Sequence, residues 1–280
     1  MEYSLDELIE CYRTDPQSSF VKLSYAVRVK HERLLSRMSR EHGRIMLRSI
    51  RTRTLVIWHR DWSGNGKVAM AHSLLTRLRV LFRFGAAMLE DSECERLMGA
   101  LEKLQFEKGV TRRDQTMSRE QAVAIRAKAH WRGWDSMALA QALQFELTLR
   151  QKDCIGEWVP MSEPGFSDVT HRDYGKWFRG LRWEEIDAHM VLRRTTSKGD
   201  NIEVELRLAP MVMEELSHMR RDVDPSTITR GDLPTAGPVI LNEISAYPYT
   251  PAEFRRKWRL VANLAGIPKH ITNRDSYSAT

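Results

Sequence analysis

The sequence predicts a mainly α-helical protein in two parts, the second carrying a small antiparallel sheet. Three observations predict this. Apolar residues recur at helical spacing from Leu5 to about Leu104. The polar run Glu107-Lys108-Gly109-Val110-Thr111-Arg112-Arg113-Asp114 then interrupts the pattern. Beyond Arg150, short strand-like stretches appear and culminate in a hairpin pattern. With 280 residues, 42% of them hydrophobic, the chain is long enough for two cores. We expect domains at 1–108 and 117–280, joined by a linker at 109–116.

The elements follow in order. Ser4-Leu5-Asp6-Glu7 is a capping box that opens a short helix to about Tyr12, and Asp15-Pro16 breaks it. A second helix is expected from about Phe20 to Glu41, with Val21, Leu23, Val27, Leu34, Leu35 and Met38 inward and Gly43 as the stop. A third begins near Thr52 and carries Leu55, Val56 and Trp58. The loop Ser63-Gly64-Asn65-Gly66-Lys67 has glycines and a lysine, but it lacks P-loop spacing and no strand precedes it, which argues against a nucleotide site. A fourth helix covers about Val68 to Met88, with Leu74, Leu75, Leu78, Leu81 and Phe82 inward, and a fifth runs from Ser92 to about Leu104. Ser118-Arg119-Glu120-Gln121 is a second capping box, starting a helix to about Lys128. The next spans Asp135 to about Leu149. Strand-like pieces stand at Ile155 to Val159 and near Leu181 to Trp183. Residues 190–196 and 202–208 flank Lys198-Gly199-Asp200-Asn201 as a β-hairpin. Helix returns at Ala209 to His218, a Pro/Gly/Thr-rich loop follows, and Thr250-Pro251-Ala252-Glu253 caps a basic amphipathic helix to about Leu264.

Charge points to a partner. The net charge is +7, yet between Pro16 and Leu89 there are 15 Lys and Arg against three Asp and Glu. A concentrated basic segment is the footprint of a polyanion, whereas a solvated helical surface normally mixes both signs. Arg33, Arg37, Arg40 and Arg44 recur at three- and four-residue steps and form one basic face. Arg51 and Arg53 precede the third helix, and Arg77, Arg79 and Arg83 make a second cluster. These are the candidate nucleic-acid contacts, mostly to phosphates, which position a protein without reading sequence. The tryptophans at 58, 62, 131, 134, 177, 183 and 258 are read as core and interface packing. No run of about 18 apolar residues suggests a membrane span. Cys11, Cys94 and Cys154 are dispersed without metal-ligand spacing, as in a reducing cytoplasm. No metal site is expected.

Four pieces stand in a telling order: the helix ending Leu147-Thr148-Leu149, then Arg150-Gln151-Lys152-Asp153; Gly180-Leu181-Arg182-Trp183-Glu184-Glu185-Ile186-Asp187; the hairpin ending Thr195-Thr196-Ser197-Lys198; and, before them, Leu78 to Ala87 as a last long helix. Together they resemble the tyrosine recombinases (phage integrases), over nearly the whole chain. The resemblance implies an N-terminal helical, SAM-like core-binding domain that clamps DNA, plus a mixed α/β catalytic domain with a small antiparallel sheet. It also implies double-stranded DNA as partner, an oligomer on that DNA, a cytoplasmic, nucleoid-associated protein and no cofactor. In that family a tyrosine attacks a phosphodiester to give a 3′-phosphotyrosine, which a 5′-hydroxyl later reverses.

By resemblance Arg150 is the first catalytic arginine, whose planar guanidinium meets two phosphate oxygens at once. Asp153 supports it from the adjoining turn, and Lys198 is the hairpin lysine that protonates the leaving 5′-oxygen. Gly266-Ile267-Pro268 resembles the stretch ahead of the second arginine motif. There Arg274 stands where the family has histidine and Tyr277 where it has arginine. His270 is off register and expected at the surface. The sequence ends at Thr280, before the family's nucleophilic tyrosine, so the expectation is a C-terminally truncated recombinase of a phage or mobile element that is inactive as it stands. Two other readings stay open: a non-enzymatic relative that occupies recombination sites or modulates a full-length enzyme, and a helical transcription regulator.

Overall fold

Capping chemistry and apolar spacing place most helices of this computed structural model, which describes residues 2–106, 115–220 and 223–277. Most of the expected linker lies outside those residues. The chain divides into two compact units, Met1–Arg112 and Arg113–Thr280. Among the described residues there are ten α-helices and two small antiparallel sheets, so the protein is mainly α.

In the first unit, α1 (Leu5–Thr14) opens on the expected capping box: Glu7 N–H donates to Ser4 Oγ and Ser4 N–H to the Glu7 carboxylate. Leu5, Leu8, Ile9 and Tyr12 recur at i, i+3, i+4 and i+7 and are all buried. Around them come α2 (Tyr25–His42), α3 (Thr52–Ser63), α4 (Val68–Met88) and α5 (Ser92–Lys103), the last capped by Asp91 accepting from Cys94 N–H at 2.8 Å. Helix α4, rich in apolar residues, packs on each of the other four helices. Helix α2 starts five residues later than its apolar spacing suggests. The Ser18 hydroxyl takes the Phe20 N–H, and the Phe20 ring instead anchors a loop against Tyr12. Val21 and Val27 are consequently exposed, as is Val56 on α3. Gly43 ends α2 in right-handed backbone, so its role is close approach: a Cβ there would lie 2.1 Å from the Asp6 carboxylate.

The second unit begins with α6 (Arg119–Trp131) and α7 (Asp135–Glu146), followed by the short α8 (Gln151–Ile155). Strands β1 (Glu157–Val159), β2 (Thr170–His171) and β3 (Gly175–Phe178) form an antiparallel sheet ordered β1-β3-β2, with Trp158 opposite Trp177. The sequence hides β2 and β3 because their residues do not alternate. Lys176, for instance, is buried with its ammonium donating to the carbonyls of Glu163 and Gly165. Leu181 to Trp183 is not a strand: Arg182 makes an isolated bridge to Pro238, and a 3-10 turn covers Trp183–Glu185. The expected hairpin is β4 (Val191–Thr195) against β5 (Asn201–Glu205), with Arg193 opposite Glu203. Helices α9 (Pro210–His218) and α10 (Pro251–Leu264) complete the unit. Its core gathers α7 residues such as Met137 and Ala138 with Phe254, Trp258 and Val261 of α10. No described helix is long and apolar enough to cross a membrane.

Candidate nucleic-acid interface and phosphate site

In the first unit, burial of Leu34, Leu35 and Met38 fixes which side of α2 faces water. Arg33 and Arg40, two turns apart, are exposed on that side, and Arg44 is exposed just past the helix end. Arg37 lies between them but is tied down: its Nε donates to Glu41 Oε1 at 2.8 Å, while Trp62 Nε1 donates to Glu41 Oε2 at 2.7 Å. Arg51 precedes α3 and folds its guanidinium back onto the Arg48 carbonyl at 2.6 Å. Arg53, on the first turn of α3, is exposed, and backbone amides at that end also favour anions. On α4, Arg83 is exposed and Arg79 half-buried.

Arg77 departs from its expected surface role. It is 9% exposed, and its Nε finds no hydrogen-bond partner among the described residues. It lines a cavity of about 220 Å³ with Lys30, His31, Leu34, His72, Ser73 and Thr76. The signal was in the spacing: residues 74, 77, 78 and 81 form one i, i+3, i+4, i+7 stripe, the buried one. Burial first, and the Arg77 charge second, push the His31 pKa down. His42 is likewise lowered by burial, stacked on Trp58 with ring centroids 4.1 Å apart. Of the seven tryptophans read as packing, Trp58, Trp62, Trp177, Trp183 and Trp258 are buried. Trp134 is partly buried, and Trp131, the last residue of α6, is 69% exposed.

In the second unit, α7 stops at Glu146, three residues short of its expected end. Thr148 takes a left-handed φ of 52°, a strained choice for a β-branched residue, and the chain turns there. Arg150 is therefore the N-cap of α8, not a cation at a helix C-terminus. Its side chain is half-buried, with Nη1 3.8 Å from Asp153 Oδ2 and 4.0 Å from Asp200 Oδ2. Asp153 is fully buried; its Oδ1 accepts the Ser197 N–H at 2.6 Å. Beneath the hairpin, Arg194 donates to the carbonyls of Asp153 (2.8 Å) and Arg179 (2.9 Å). These bonds hold the hairpin turn beside Arg150. The turn itself closes with Gly199 N–H on the Thr196 carbonyl, and Gly199 has the φ of +92° that such a turn requires. Lys198 stands exposed at its tip. The structure thus brings Arg150, Asp153 and the Lys198 turn together.

Next to Arg150, Gln151 begins a cavity of about 420 Å³ also lined by Arg255, Trp258, Arg259, Thr272, Asn273, Arg274 and Tyr277. Arg255 and Arg259 sit one turn apart on α10. Arg259 donates to the Ile271 carbonyl, and its Nη1 is buried without a hydrogen-bond partner among the described residues. Arg274 and Tyr277 share a 3-10 stretch, Asn273–Tyr277. That stretch is pinned to α7 by reciprocal amide bonds between Asn273 and Gln144 (3.1 and 2.9 Å) and by Ser276 against Gln141. Asp275 caps it by accepting from Thr272 N–H at 2.7 Å. Sequence reasoning did not single out Arg255 or Arg259; the basic character of α10 was the available signal. His270 is exposed, as expected.

No protein-family model matches the sequence, and neither does any curated protein. Solved structures do match. Lambda integrase bound to DNA aligns over 98% of this chain and 84% of its own, with a TM-score of 0.68 at 14% identity. A lambda integrase tetramer bound to a Holliday junction gives 0.64 at 13% identity, over 98% of this chain and 71% of that one. The integrase of transposon Tn1549, in complex with circular intermediate DNA, gives 0.58 at 12% identity, over 98% and 84%. This chain has the tyrosine recombinase fold.

Proposed function

We propose that this protein works on double-stranded DNA in the manner of a phage or mobile-element integrase, gripping the duplex through its helical unit and holding a backbone phosphate at Arg150. The observation that carries this reading is the set of open arginines at 33, 40, 44, 53 and 83, on a unit with the recombinase fold. Such charges release counterions from DNA and give salt-dependent binding. In the second unit the Arg150 guanidinium donates to two phosphate oxygens, Asp153 orients it, and Lys198 reaches the phosphate from the anchored hairpin tip. The solved neighbours were captured with DNA, one of them as a tetramer, which supports assembly of this chain on its DNA.

Tyr277 favours a second reading for these 280 residues: site occupancy without strand breakage. Where the resemblance calls for a second guanidinium, Tyr277 offers a neutral phenol, and loss of one transition-state donor costs about a hundred- to a thousandfold in rate. Duplex carrying a nick near a candidate attachment sequence, incubated with the protein and run on native and denaturing gels, tests both readings. We expect a shifted native complex and no covalent band. A covalent band that vanishes in Tyr277→Phe would make Tyr277 a nucleophile and restore the enzymatic reading. Absence of the native complex would remove the DNA-binding assignment.

A further inference from the structure

We propose that His130, Asp135 and His218 form a binding site for one divalent transition metal ion of the zinc class, at the meeting point of α6, α7 and α9. One donor atom from each of the three side chains lies within 4.8 Å of the others. Asp135 Oδ1 is central, 2.9 Å from His130 Nδ1 and 3.8 Å from His218 Nε2. The two imidazole rings lie with centroids 4.2 Å apart, tilted by 56°.

What separates this trio from a chance surface cluster is the group behind it. The other ring nitrogen of His130 donates to Glu215 Oε2 at 2.8 Å, and Glu215 is only 2% exposed. Glu215 is held in turn by Arg126 Nε at 2.5 Å, and Arg126 also donates to Glu214 at 2.8 Å. A histidine that ligates a metal characteristically gives its second N–H to a carboxylate, which fixes the tautomer and raises ligand basicity. Here that carboxylate is buried and already positioned, so Nδ1 is the ring nitrogen left facing Asp135.

Two imidazoles and one carboxylate select the ion. Nitrogen donors suit zinc, nickel or cobalt, whereas magnesium and calcium take oxygen shells. Zinc bonds of about 2.0–2.2 Å put tetrahedral donors about 3.3 Å apart. Asp135 and His218 are more than half exposed, and their side chains can rotate to close that distance. Three protein ligands leave the fourth position to water. The site ties the last turn of α6 to the first residue of α7 and the last residue of α9. It does not depend on the DNA-binding reading.

The test uses the full chain, stripped with chelator and titrated with Zn²⁺ by calorimetry, with Co²⁺ absorption as a second probe. We expect one saturable equivalent, reversed by chelator and accompanied by a rise in melting temperature. His218→Ala and Asp135→Asn, both at exposed positions, should weaken it at least about tenfold, and Glu215→Gln about ten- to a hundredfold. His270→Ala, elsewhere on the surface, should bind as the unaltered chain does. Absence of a saturable equivalent, or His218→Ala titrating like the unaltered protein, would overturn the site.

Discussion

The open arginines of the first unit contrast with the paired ones that hold the second. In the first, Arg33, Arg40, Arg44, Arg53 and Arg83 are exposed and make no ion pair or hydrogen bond among the described residues. In the second, several arginines close the fold, as Arg13 and Arg96 do in the first. Arg126 meets Glu215 and Glu214, Arg182 grips Asp168 at 2.9 and 2.7 Å, and Arg193 bridges Asp187 and Glu203. Arg230 collects the carbonyls of Ile186, Trp183, Pro234 and Thr235. An arginine matched by a carboxylate or carbonyl of its own unit has its charge committed to structure; one left open is available to an outside anion. The total charge of a segment cannot make this distinction, and the partner of each guanidinium does.

The largest effect expected from this contrast is on stability. Arg126→Ala takes the guanidinium from the nearly fully buried Glu215 and leaves it His130 alone; breaking a buried pair typically costs about 3–5 kcal/mol. Hydrogen exchange should show α6 and α9 losing protection while α2 to α4 keep theirs. Equal loss in both units would break the comparison. Next, replacing Arg33, Arg40, Arg53 and Arg83 together with alanine should weaken duplex binding on the order of a hundredfold, about equally on unrelated sequences, because phosphate contacts carry no base information. Selective loss on one sequence would place these side chains in a groove.

Much of this was legible beforehand, for identifiable reasons. Capping boxes at Ser4 and Ser118 placed two helix starts, because the cap is local chemistry. The hairpin with Lys198 at its tip was legible from alternation plus a Gly-Asp-Asn turn. The anchoring of that turn was not, since the Asp153–Ser197 bond joins residues 44 apart in sequence. Arg77 was misplaced because residue type outweighed the helical stripe on which it lies. Arg255 and Arg259 escaped notice because their cavity is completed by residues 272–277, which only the folded chain brings near. Residue type alone points Trp131 to packing, yet it ends a helix largely exposed, with the Lys128 ammonium 5.8 Å from its ring centre.

Histidine repeats the contrast. His31 and His42 in the first unit have pKa values lowered chiefly by burial, and His130 in the second has one raised chiefly by its bond to Glu215. For the first unit the charged form is penalised, so stability should fall as pH drops from about 6.5 toward the lowered folded values. For His130, flanked by Glu215, Asp135, Arg126 and His218, the charged form is favoured. Its contribution is complete below about 6.5 and is lost as pH rises through the raised folded value. Exchange protection of the two units, followed from pH 5.5 to 8.5 in chelator, should therefore move in opposite directions; parallel movement would count against it. The smallest effects separate two cations within DNA binding. Lys198→Ala should lower the salt slope by about one, as for a single phosphate contact. Arg77→Met should leave it unchanged, because that guanidinium is buried.

The most direct measurement of the central claim is the affinity of the full chain for labelled duplex as a function of salt. If the open arginines of the first unit neutralise phosphates, log K falls steeply against log salt, with a slope of about −0.9 per contact. Five such side chains then give a slope of roughly −4 or steeper, and each one removed makes it shallower by about 0.9. A slope near zero, or no binding even at low salt, would contradict the account.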